Sequence, residues 1–249
     1  MTLRWRFFQM AREEPRVNSG TVPNFRTRTG QKRRAQTRRR IIAAAFEVFD
    51  AKDMGSITIE HVREAAGLSR GTFYYYFNTL DAMLGELARD ITLQINREQD
   101  EYFSEEQDAV LKLFYTMTYF LARATSDTAC CEILLRVMPV AGSPTRAMRN
   151  HAIAWFIDAR KLGLIDIDHF EIALEAGYGI GSSILRRAMV QGTSHEEIAF
   201  AIFMFLRAIG IPTETANAFS KLPPPKLPKL PLREAAIESG FHEAANHES

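Results

Sequence analysis

The stretch Thr58–Phe77, TIEHVREAAGLSRGTFYYYF, decides the fold. Thr58 is an N-cap residue by type: its hydroxyl can accept from backbone N–H groups that a helix start leaves unpaired. Ile59, Val62 and Ala66 follow at i, i+3 and i+7 and predict an apolar stripe on one helical face. Gly67 ends the stripe where a left-handed cap belongs. Ser69 then stands where it can cap a second helix through Arg70, Gly71, Thr72, Phe73, Tyr74, Tyr75 and Tyr76. Propensity alone would make TFYYYF a strand, but a capped helix and a glycine turn directly precede it.

Phe73 and Phe77, at i and i+4, can lock one face of the second helix into a core, which turns Arg70, Thr72, Tyr74 and Tyr75 outward. Such a helix suits the major groove of DNA. N–H groups and hydroxyls at its start meet phosphate, and an arginine can grip guanine O6 and N7 in bidentate fashion. Taken alone, the pattern also fits an ordinary helical hairpin with aromatic core residues.

Working outward, Lys32 to Ala51 is expected to be a helix whose stripe of Ile41, Ile42, Ala45, Phe46 and Phe49 buries against the two helices that follow. Thr37 and Arg38, Arg39 and Arg40 lie near its start, and Asp53, Met54 and Gly55 break it. Downstream, Thr79 is positioned to cap a helix from Leu80 to about Phe103, with Met83, Leu84, Leu87, Ile91 and Ile95 inward. About 24 residues at 1.5 Å each give roughly 36 Å, enough to join a reading head to the rest of the molecule.

The run from Thr37 to about Leu87 resembles the DNA-binding domain of TetR-type transcriptional regulators, through the amphipathic first helix, the capped second helix, Ala-Gly-x-Ser-Arg-Gly-Thr-x-Tyr and the capped fourth helix. The resemblance extends in length and helical layout to about Pro212. It implies an all-α protein: a three-helix helix-turn-helix domain over residues 30–78, then a helical effector-binding and dimerisation domain over 79–212. It also implies DNA contacts from Thr37, Thr58, Ser69, Arg70, Gly71, Thr72, Tyr74 and Tyr75. Three residues depart from the family pattern. Arg63 stands in place of a small alanine, so it loosens packing or reaches phosphate. His61 replaces an acidic residue, so no reciprocal capping box is expected. Leu80 replaces a lysine that commonly touches phosphate, which should weaken non-specific affinity by about one charge.

The remainder reads as helical. Glu106 to Ala124 carries Val110, Leu111, Phe114, Met117, Thr118 and Leu121; Asp127 caps a helix ending near Pro139; Ser143-Pro144 opens one that stops at Gly163. Asp168 is expected to cap a long helix to about Val190, and Ser194 with Glu197 forms a capping box for the next. Gly177, Gly179 and Gly181 follow no strand and so make no nucleotide loop. Inside a helix each glycine costs about 1 kcal/mol relative to alanine, which close approach of another helix could offset. These last two helices are the expected dimerisation surface, through Gly177, Gly181, Ile184, Ile198, Ile202 and Phe205, with Phe200, Phe203 and Leu206 as a second apolar face. Paired across a two-fold axis they would form a four-helix bundle and present two heads to a palindromic operator.

In a family whose middle domain binds effectors, Phe114, Tyr115, Met117, Phe120, Met138, His151 and Trp155 are the candidate wall for a small apolar or aromatic molecule, with Tyr115, Tyr119 and His151 to orient its polar group. Each also fits as plain core. Ligand would favour a conformation whose heads no longer match the half-sites, making the protein a repressor released by its effector.

Charge supports a nucleic-acid partner. The 249 residues sum to +1, yet residues 1–40 hold 12 Lys and Arg against 2 Asp and Glu, a local +10 beside the reading helix. Residues 1–29 are expected to be a disordered basic arm that follows the DNA backbone, or passenger sequence. After Pro212, LPPPKLPKLPL reads as extended polyproline, and residues 213–249 as a disordered tail or docking peptide. No apolar run approaches the roughly 20 residues that span a bilayer. Trp5 to Met10 is too short and too broken for a signal peptide. The adjacent Cys130 and Cys131 lack metal or redox spacing, so a cytoplasmic setting is expected. No HExxH, Gly-x-Ser-x-Gly or phosphate loop occurs, and no enzyme, metal or cofactor is expected. The alternative is a basic architectural DNA-binding protein without an effector, or an all-helical enzyme.

Overall fold

The computed structural model describes residues 25–52, 54–103, 108–137, 159–163, 165 and 169–238, together with 153 and 157. Among these, every regular element is helical: α1 (Phe25–Ala51), a single 3-10 turn (Met54–Ser56), α2 (Ile59–Ala65), α3 (Arg70–Tyr76), α4 (Leu80–Tyr102), α5 (Ala109–Thr125), α6 (Thr128–Val137), α7 (Phe170–Gln191), α8 (His195–Ala208), α9 (Thr213–Ser220) and a short helix over 232–238.

The caps follow from residue type. Thr58, Ser69, Thr79, Asp108 and Ser194 each turn a side-chain oxygen onto orphan N–H groups at the start of α2, α3, α4, α5 and α8. Ser194 and Glu197 complete the expected box. α2 carries a box that its sequence was not expected to allow. His61 N donates to Thr58 Oγ1 at 3.4 Å, and Thr58 N donates to His61 Nδ1 at 3.3 Å. A neutral imidazole nitrogen accepts as a carboxylate does, so loss of the acid does not lose the box.

α1 packs on α2 and also reaches α6. α4 leaves the head and runs along α5 and α6, while α7 and α8 pack on each other and on α5. One apolar core runs through all of this, from Ile41 in α1 to Ala236 in the final helix. Cys130 and Cys131 lie inside it, and burial pushes the Cys131 thiol up to about 12, so both behave as small apolar residues.

Three expectations need correction. The first helix begins at Phe25, not Lys32, so residues 25–29 are part of α1 and not of a disordered arm; residues 1–24 lie outside the described ones. Over residues 213–238 order does not fade. α9 follows Pro212 at once, and Leu232 is fully buried, because apolar residues interspersed among the prolines have a surface to cover. The expected dimer residues are internal. Gly177 faces the Phe205 ring, where an added Cβ would stand 3.1 Å from two ring carbons, and Gly181 faces Leu121. Ile184, Ile198, Ile202 and Phe205 are all buried within the chain. The cleanest helical stripe is the one that the subunit itself consumes. The glycine at 177 is thus offset by close approach of α8, within one chain. The expected helix opened by Ser143-Pro144 lies outside the described residues.

Candidate nucleic-acid interface

The interface is built on α3, a helix of seven residues that could not persist alone. Val62 and Ala66 of α2 are buried, Gly67 turns the chain at φ +60°, and Ser69 caps α3 by accepting from Thr72 N at 3.2 Å. Phe73 is fully buried and Phe77 nearly so, with ring centroids 6.4 Å apart. This anchors one flank. On the other, Ser69, Arg70, Gly71, Thr72, Tyr74 and Tyr75 are exposed, and Arg70 retains 77% of its side-chain surface. A built Cβ at Gly71 meets nothing within 4 Å, so the helix offers bare backbone there.

Thr58 is exposed at the start of α2, its oxygen engaged in the cap. Thr37 is half-buried on α1 and its hydroxyl donates back to Arg33 O at 3.0 Å. A phosphate would have to redirect that proton. All eight predicted DNA-contact residues therefore lie on the head, seven of them exposed.

Electrostatics add what sequence reading missed. Glu60 on α2 sits under the reading face. Arg63 Nε donates to it, Tyr74 OH donates to Oε1 at 3.2 Å, and Arg70 Nε lies 3.6 Å from the same oxygen. The hydrogen bond from Arg63 foremost holds the Glu60 carboxyl below the usual carboxylate range. Arg63 also donates to Leu68 O at 3.0 Å, so it staples the turn and does not stretch toward phosphate. Arg38 is likewise consumed: it bonds Glu86 and the buried Asp90 of α4, both at 2.9 Å, locking α1 to the helix that leaves the head. Among the described side chains of α1, the exposed cations are Lys32, Arg33, Arg34, Arg39 and Arg40. Arg34 lies over the Tyr75 ring at 5.9 Å and Arg40 beside Gly67 O at 3.5 Å, so basic charge flanks α3 on both sides of its turn. Leu80 leans on the core, which accounts for an apolar residue at the start of α4.

The candidate effector residues divide. Met138, His151 and Trp155 lie outside the described residues. Phe114 and Phe120 are buried on α5, and Tyr115 and Met117 half-buried. Tyr115 stacks on Phe103 at 5.4 Å, and Phe114 meets Phe219 at 5.8 Å. Tyr119 does not hold a spare hydroxyl, because it donates to Glu98 Oε2 at 2.9 Å. Nearby, Gln99 Nε2 donates to Thr116 O at 3.0 Å while Gln99 Oε1 and Thr116 Oγ1 are buried without a hydrogen bond. Among the described residues no group of acidic, His or Cys side chains could hold a metal ion, and no helix is long and apolar enough to cross a membrane.

A capped helix, a left-handed glycine and a short helix with one flank buried define a helix-turn-helix protein. Residues 41–87 match the family described as "Bacterial regulatory proteins, tetR family". Two curated Pseudomonas putida proteins, the HTH-type transcriptional regulator SrpR and the uncharacterized HTH-type transcriptional regulator TtgW, are each 35% identical to this chain over 78 residues, 30% of its length. The match spans 37% of SrpR and 58% of TtgW. The crystal structure of RolR without ligand shares the fold with a TM-score of 0.66 at 17% identity, over 77% of this chain and 100% of RolR. RolR in complex with resorcinol aligns with a TM-score of 0.60 at 18% identity, over 79% and 98%. Residues 41–87 are thus similar to the N-terminal DNA-binding domain of the TetR family of transcriptional regulators.

Proposed function

We propose that this protein is a sequence-specific transcriptional regulator, a repressor and not an enzyme, that reads double-stranded DNA with α3. One observation carries the reading: Phe73 and Phe77 are buried while Arg70, Thr72, Tyr74 and Tyr75 on the same short helix are exposed. Arg70 is the base reader, with Tyr74 and Tyr75 beside it. Ser69, Thr72, Thr58 and Thr37 supply hydroxyls to phosphate, and Gly71 admits the backbone closely. Lys32, Arg33, Arg39 and Arg40 provide the sequence-independent attraction.

The protein acts as a homodimer on a palindromic operator. The supporting surface is the face of α7 and α8 opposite the buried stripe. Ile172, Gly179, Ser183 and Val190 align on α7, and Phe200, Phe203 and Met204 on α8. Ile172, Val190, Phe200 and Met204 are each more than half exposed, which is unusual for so many large apolar side chains on two packed helices.

A small aromatic effector releases the operator. Support comes from the aromatic wall of Phe103, Tyr115 and Phe114, from the unmatched Gln99 Oε1 and Thr116 Oγ1, which would accept from a ligand hydroxyl, and from the resorcinol complex of RolR. The test is binding selection on random duplexes. Enrichment of one two-fold symmetric site supports the reading; sequence-independent coating would favour an architectural DNA protein instead. Addition of simple phenols to the selected complex then tests release.

A further inference from the structure

The C-terminal segment that follows α9 crosses from one domain to the other. Leu222 O lies 3.0 Å from His195 Nε2 at the start of α8. Eight residues on, Leu230 O accepts from Arg123 Nη2 at 2.8 Å. Arg123 is itself buried and forked onto Glu98 of α4, at 2.9 and 3.1 Å, with Tyr119 donating to the same carboxylate. Leu232, Ala235 and Ala236 are then buried in the core.

Arg233 is the pivot. Its Nε and Nη2 donate to Asp127 Oδ2 and Oδ1 at 2.7 and 2.8 Å, a bidentate pair at the start of α6. Its third nitrogen donates to Asp50 at the end of α1, and its guanidinium covers the Phe46 ring at 5.6 Å. One side chain thus holds the reading head, through α1, and the body, through α6. Asp127 is buried, and its Oδ1 also accepts from Cys130 N at 3.2 Å, so that end of the clamp is fixed. Arginine's rigid planar fork suits such a three-point contact in a way that lysine's single ammonium does not.

We propose that residues 222–238 are an interdomain clamp and that Arg233 is its positioning residue, setting the angle at which the head leaves the body. The proposal rests on the DNA-reading function above. A two-headed protein meets both half-sites only if each head is held at one angle. Loosening that angle costs ordering at the operator, and costs nothing where no fixed spacing is read.

The test uses the full chain and the duplex that the wild type enriches from random DNA, with a random-sequence duplex as comparison. Arg233→Met keeps an unbranched apolar stem and loses the fork. It is expected to lower affinity for the enriched duplex about tenfold and to change affinity for the random duplex by less than about twofold. Amide hydrogen exchange should quicken both in residues 232–238 and in the last turn of α1, and Arg233→Lys should fall between. Unchanged affinity for the enriched duplex would overturn the proposal, and so would equal losses on both duplexes, which signify a damaged head. If the wild type enriches no duplex, the DNA-reading function falls by itself; unchanged exchange in the last turn of α1 would then still refute the clamp, and faster exchange there would support it.

Discussion

Gly67 and Glu60 show what single residues contribute to the head. At φ +60° any L side chain at position 67 is strained, by roughly 1–2 kcal/mol. An added Cβ would also stand 2.7 Å from the Arg40 guanidinium, which can swing away. Gly67→Ala is therefore expected to destabilise by about 1–2 kcal/mol, read as a lower urea midpoint with unchanged slope. Glu60 places a carboxylate beside Arg70 and Tyr74 on the face proposed to meet DNA. Glu60→Gln removes that charge while leaving Tyr74 an acceptor. It should tighten binding to all duplexes and steepen the salt dependence by about one unit of slope. A flat or shallower slope would show that Glu60 does not oppose DNA. At this scale much was legible. Thr58, Gly67, Ser69, Phe73 and Phe77 do what their types and spacing require. The His61 box is hidden in the sequence because it rests on a neutral imidazole nitrogen accepting where a carboxylate is usual. The roles of Glu60, Arg63 and Arg38 were missed because ion pairs across helices depend on packing that spacing along one helix does not reveal.

At the scale of elements, most caps and inward stripes were legible because each is a local pattern that one helix carries complete. Asp168, expected to cap α7, lies outside the described residues, and the N-cap position falls on His169, which makes no side-chain cap bond. The C-terminal segment was not. LPPPKLPKLPL states extended backbone, and nothing local says what it will lie against. Its clamp should be sensitive to acid. Burial, the largest single influence, raises the Asp127 carboxyl, but the hydrogen bonds and charge of Arg233 together with the Cys130 backbone hydrogen bond outweigh it and leave the carboxyl lowered from its ordinary value. A carboxyl depressed in the folded state contributes stability in full above its unfolded value of about 3.9, and loses it as pH falls through the lower, folded value. Between pH 6 and pH 3, amides of residues 232–238 should therefore lose protection relative to those of α4. In Arg233→Met that difference should shrink. Equal pH dependence in both proteins would contradict the assignment.

Over the whole molecule, the all-α architecture and the order of head and body followed from the sequence. The faces that meet other molecules followed less well. α7 and α8 each have two apolar faces, and a sequence cannot say which one its own chain will use. The buried Ile202 and the exposed Phe200 separate the two. Phe200→Asp paired with Met204→Asp should leave the subunit folded and shift it to monomer by sedimentation at micromolar concentration. Ile202→Asp should instead abolish folding, since an unpaired charge in a core is among the costliest single changes. A double variant that remains dimeric would move the interface elsewhere.

The most direct measurement is selection of random duplexes by the wild type and by Arg70→Ala, each shown to be folded. The account predicts one symmetric site for the wild type, with half-sites one helical turn of DNA or more apart. It predicts that Arg70→Ala loses base preference at one position in each half-site while still binding DNA. An identical site, enriched equally by both proteins, would contradict the assignment of α3 as the reading helix.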